Sequence, residues 1–96
     1  MSGRNFAETE EPGTDAVLRE VLADVLGLAP DRVAAFTPET GLFGELPELD
    51  SMAVPGLLTE LEDRLGIVIE DDEVDGEMLE TYGALLEFAE KKCRER

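Results

Sequence analysis

Leu18, Val21, Leu22 and Val25 recur at the i, i+3, i+4, i+7 spacing of one buried helix face. Thr14 is placed to cap this first helix, and Asp15 falls in the first turn, where the dipole favours an acid. Gly27 and Pro30 stop it, so the pattern predicts a helix over residues 15 to 26. A second stripe, Val54, Leu58, Leu61 and Leu65, is spaced 4, 3 and 4 apart and predicts a core-facing helix that starts at Asp50 or Ser51 and stops at Gly66. Pro55 is compatible with that start. With Ser51 as N-cap it is the fourth helical residue, and its missing N–H removes only the first intrahelical hydrogen bond. Tyr82, Leu85, Leu86 and Ala89 repeat the spacing after Thr81, a second cap. Lys91, Lys92 and Arg94 follow in an exposed C-terminal segment, where the dipole favours cations.

The connections are less regular. Residues 28 to 50 hold three prolines and two glycines among Leu28, Val33, Phe36, Leu42, Phe43, Leu46 and Leu49. So long a loop is expected to be pinned by its own apolar residues, with a short helical turn over residues 31 to 35. Ile67-Val68-Ile69 is a β-branched run with no second strand to pair with, which predicts an extended connection covering the core. Residues 71 to 77 are expected to hold a short third helix. The fold class that follows is all-α, a small four-helix bundle of three main helices and one short one. Residues 1 to 13 read as a flexible tail, 14 to 92 as the folded domain and 93 to 96 as a C-terminal tail.

Ninety-six residues make one domain, too small for a deep enzyme cleft. No run approaches the roughly 20 apolar residues that span a bilayer, and the N-terminus lacks a hydrophobic signal segment. The single cysteine, Cys93, has no internal partner for a disulfide. A soluble, cytoplasmic monomer is expected. Charge adds more: 24 acids against 8 bases give a formal net charge of −16. Fourteen carboxylates lie between Glu39 and Glu80, where Arg64 is the only cation. That field repels nucleic acid and anionic lipid and favours a basic patch on a partner protein.

The chain has no histidine, which removes a Ser-His-Asp triad, a histidine zinc site and an imidazole base. Ser51 has no internal activator, so no catalytic residue is expected. Asp71, Glu73, Asp75 and Gly76 resemble the start of an EF-hand loop, but position twelve is Tyr82 where a bidentate glutamate is needed. A solvated acidic face with no metal is the reading. For Ser51 the plainest role is a helix N-cap.

Leu49-Asp50-Ser51-Met52, followed by Leu58-Thr59-Glu60-Leu61-Glu62-Asp63-Arg64-Leu65-Gly66-Ile67, resembles the acyl carrier proteins over about residues 14 to 92. The resemblance implies a stand-alone carrier, not an enzyme, with 4'-phosphopantetheine from coenzyme A attached to Ser51 by a separate phosphopantetheinyl transferase. An acyl group would then be held as a thioester on the arm. It also implies that enzymes transferring or activating acyl groups read the carrier through basic patches, at Asp50, Met52, Glu60, Glu62 and Asp63. The phosphodiester would sit at the positive end of the helix. Ala53, Pro55 and Gly56 depart from the common fatty-acid type, so a lipid or specialised-metabolite pathway is expected. An aminoacyl, peptidyl or D-alanyl carrier is the alternative within the family. Outside it stands a non-covalent acidic adaptor, in which Ser51 is a cap alone.

Overall fold

The computed structural model describes residues 13–95. In order they form α1 (Thr14–Leu26), α2 (Pro30–Ala34), α3 (Ala53–Leu65), two single 3₁₀ turns (Asp71–Glu73 and Glu77–Leu79) and α4 (Tyr82–Glu95). The described residues hold no strand, only an isolated bridge between Gly41 and Thr81. None of their helices is long and apolar enough to cross a membrane. The expected residues 1 to 12 of the tail lie outside the described part.

Each main helix forms where its apolar period is longest. Leu18, Val21, Leu22 and Leu26 of α1, Leu57, Leu61 and Leu65 of α3, and Tyr82, Leu85 and Ala89 of α4 are buried together, with α1 packed against both others. Gly27 and Gly66 end α1 and α3 at φ 70° and 65°, left-handed positions that a side chain would strain. The caps differ from expectation at α1, where Gly13 is the N-cap and Thr14 the first helical residue. Thr14 Oγ1 instead faces Cys93 Sγ at 3.8 Å. Thr81 does cap α4, accepting the Ala84 amide at 3.1 Å.

Arg64 joins α3 to α1. Its guanidinium donates to Glu60 at 3.0 Å on its own helix and to Asp24 at 2.8 Å on α1. Asp24 first, then Glu60, raises the Arg64 pKa above its ordinary value. Arg19 binds the other end of α1 to the long connection, donating to the carbonyls of Val33 and Phe36 and lying 4.7 Å over the Tyr82 ring.

The 28 to 50 connection is pinned by its own side chains: Leu28, Val33, Phe36, Leu42, Leu46 and Leu49 are all buried. Backbone bonds lace it to the segment before α4, with Leu42 N–H to Glu80 O at 2.9 Å and Tyr82 N–H to Thr40 O at 2.8 Å. Phe43 is the exception and stays exposed. Ile67 to Ile69 is extended, burying Ile67 and exposing Val68, as alternation along an extended chain requires.

Three expectations change. The short helix over residues 71 to 77 is two separate turns, because the Asp75 carboxylate accepts the Met78 N–H at 3.0 Å and starts a new turn there. The α3 stripe is rotated: Leu57 is buried, whereas Val54 and Leu58 are half-buried. Residues 93–95 continue α4, with Cys93 packed against the core, and the Lys92 side chain is only 12% exposed because it reaches inward to Glu73.

Candidate attachment site

Asp50, not Ser51, caps the helix. Its Oδ1 accepts the amides of Met52 at 3.1 Å and Ala53 at 2.9 Å, and its carbonyl accepts Val54 N–H at 3.2 Å. The next rung is missing, since Pro55 has no N–H to offer the Ser51 carbonyl. Asp50, Ser51 and Met52 therefore form a first turn split from the regular helix, which begins at Ala53. The consequence for Ser51 is direct. Capping is done by its neighbour, and among the described residues nothing takes its exposed hydroxyl.

Beside Ser51 lies a cavity of about 370 Å³ lined by Phe43, Ser51, Val54, Pro55, Val74, Asp75, Gly76 and Leu79. It shares Val54, Pro55 and Val74 with a second cavity of about 470 Å³ that continues along α3 past Leu58, Thr59 and Glu62 to Ile69 and Asp71. Together they make one groove between α3 and the 69 to 79 segment, apolar near Ser51 and edged by Glu62 and Asp71 at the far end. Of the apolar residues that make its near end, Phe43, Val74 and Leu79 were not singled out by periodicity. The available signal for Phe43 was local: in Leu42-Phe43 on an extended chain, one side chain turns in and the next turns out.

The other residues expected at the site separate into two groups. Asp50, Met52 and Asp63 are exposed, Met52 by 85%. Glu60 is bonded to Arg64, and Glu62 Oε2 accepts the Ile69 N–H at 2.8 Å. Glu60 to Asp63 lie about 15 Å along the axis from Ser51, at 1.5 Å per residue. Two of the four carboxylates in the 71 to 75 run are similarly occupied. Glu73 pairs with Lys92 at 2.9 Å and Asp75 caps its turn, and the described residues contain no group of three side chains placed to hold a metal ion.

A free, exposed hydroxyl at the mouth of an apolar groove fits a prosthetic group that is attached through a phosphodiester and bears an acyl chain. The backbone donors fit less well than expected, because Asp50 already occupies the amides of Met52, Ala53 and Val54.

Fold and site together define a small helical carrier domain. The family described as "phosphopantetheine attachment site" matches residues 16–89. The chain belongs to that family, whose cofactor is covalent 4'-phosphopantetheine, and is a carrier rather than an enzyme. Among solved structures it is similar to a holo acyl carrier protein from Nitrosomonas europaea, solved by solution NMR. The two share 40% identity over 84% of this chain and 95% of that one, with a TM-score of 0.75. No curated protein matches the chain.

Proposed function

We propose that Ser51 carries the 4'-phosphopantetheine and that the protein presents an acyl group on it to enzymes of a lipid or specialised-metabolite pathway. The observation that carries this reading is the Ser51 hydroxyl itself: released from capping by Asp50, exposed, and set beside the groove of Phe43, Val54, Val74 and Leu79. When bound, the group supplies a terminal thiol that holds the acyl chain as a thioester. The chain's own residues do the rest. Asp50 fixes the turn that displays Ser51, and the apolar walls shelter a hydrocarbon that would otherwise face water.

Asp50, Met52 and Asp63 are proposed as the surface read by a phosphopantetheinyl transferase and by acyl-handling enzymes with basic patches. Glu60 and Glu62, bonded inside the chain, add charge to that surface without offering a free carboxylate. Such a surface steers a basic partner and quickens its arrival.

The test is incubation with coenzyme A and a permissive phosphopantetheinyl transferase, followed by intact mass. Wild type gains one phosphopantetheine and Ser51→Ala gains none. An equal gain in Ser51→Ala would overturn the assignment.

A further inference from the structure

One wall of the groove is α3; the other is built from single turns of the 69 to 79 segment, which has no long helix to hold it. Its first turn is closed on itself. The Glu70 side chain accepts the Glu73 N–H and Glu73 Oε1 accepts the Glu70 N–H at 2.9 Å, a reciprocal capping box, and the Glu73 N–H also donates to Glu70 O at 3.0 Å. Side chains three apart eclipse in a 3₁₀ turn. Asp71 and Val74 therefore face the groove together, while the Glu73 carboxylate turns to α4.

There both Glu73 oxygens accept the Lys92 ammonium at 2.9 Å. The Lys92 side chain is 12% exposed, and Glu95 at 3.7 Å is its other carboxylate. Where the segment starts, at the far end of the groove, Glu62 holds the Ile69 amide. The wall is thus tied to α3 at Ile69, to α4 at Glu73 and to the long connection at Leu79, whose carbonyl accepts the Phe43 N–H at 2.9 Å. Of the three, only the Glu73 tie lies within the turn that carries Asp71 and Val74.

We propose that Lys92, through Glu73, is a positioning residue that sets the width of the cargo groove and so the acyl chain length the carrier shelters. This rests on the reading of the groove as the cargo site. Releasing Glu73 frees the turn to move outward with Val74, widening the groove without touching Ser51.

The experiment loads the full chain with saturated acyl-phosphopantetheines of increasing length, confirms loading by intact mass, and reads the gain in thermal midpoint over the unacylated holo protein. A ligand that binds the native state alone raises that midpoint in proportion to how well it fits. Wild type shows a gain that peaks at one length. Lys92→Met and Glu73→Gln show a smaller gain at that length and a peak displaced toward longer chains, and Lys92→Arg, which keeps a cation for Glu73 and leaves the Glu70–Glu73 turn intact, keeps the wild-type peak. Glu73→Gln keeps an oxygen for the Glu70 N–H and carries the test if Lys92→Met does not fold. A midpoint lowered equally at every length, with the peak unmoved, makes the pair a stabilising contact only and overturns the proposal. No length dependence in wild type removes the groove reading itself, and this proposal with it.

Discussion

Asp50 Oδ1 lies 2.9 Å from the Ala53 amide nitrogen, so the aspartate of the Asp-Ser-Met motif holds the first turn of α3 and the serine does not. Removing each should therefore have opposite consequences. Asp50→Ala is expected to cost about 1 kcal/mol in urea unfolding, the usual loss for an N-cap. Ser51→Ala stays within about 0.5 kcal/mol of wild type, as an exposed, unbonded side chain should. Stability lost at Ser51 and kept at Asp50 would reverse the assignment of the cap.

Met52 is 85% exposed next to Ser51. Met52→Glu should leave unfolding within about 0.5 kcal/mol of wild type while slowing modification of Ser51 by the transferase. Loading rates measured by intact mass over time give the check; an unchanged rate removes Met52 from the partner surface.

The Glu73–Lys92 pair titrates from both ends. The Glu70 amide, then the Lys92 ammonium, hold the Glu73 carboxyl below its ordinary 4.5, and Glu73 raises Lys92 above its ordinary 10.5. A depressed acid contributes stability above its unfolded value and loses it as pH falls through the folded one; a raised base loses its share as pH rises past 10.5. The gap in urea midpoint between wild type and Glu73→Gln should be widest near neutrality and close below about pH 4.5. A gap independent of pH would show that the ion pair adds nothing to packing.

Tyr82 is the chain's single tyrosine, and there is no tryptophan, so its phenolate absorbance can be followed alone. Burial first, and then the hydrogen bond it donates to the Asp15 carboxylate, push its pKa upward from 10. Folded protein should resist ionisation well above pH 10, and Asp15→Ala should bring the titration part of the way back. Because the folded value is raised, this contribution to stability is full below pH 10 and fades above it. Titration at the ordinary value in wild type would contradict the buried, bonded phenol.

With a net charge of −16, self-repulsion should outweigh the few ion pairs, so the thermal midpoint rises with sodium chloride. Arg64→Leu, which removes the link from α3 to Asp24, should lower the midpoint most at low salt. A flat or falling salt dependence would place the ion pairs above the repulsion.

Much of this was legible from the chain because α1, α3 and α4 each bury a long apolar stripe, and a 3.6-residue period survives any detail of packing. What the sequence could not settle follows from choices between near equals. Asp50 and Ser51 are adjacent and both are good caps, so backbone geometry alone decides. On α3, Val54, Leu57, Leu58, Leu61 and Leu65 make a stripe wider than one contact: Leu57 and Leu61 meet the core, while Val54 and Leu58 line the groove. Lys92 reads as a solvated cation until its ammonium is seen 2.9 Å from Glu73, with the side chain only 12% exposed.

The missing N–H of Pro55 has one more effect. With the amides of Met52, Ala53 and Val54 already turned to Asp50, only the amides of Asp50 and Ser51 are left unbonded in that turn. A phosphodiester at Ser51 would find the Met52, Ala53 and Val54 amides taken and would stay largely hydrated. The protein would then hold its arm as a swivel holds a line, fixed at one atom and free to reach toward a partner or to lie back along α3.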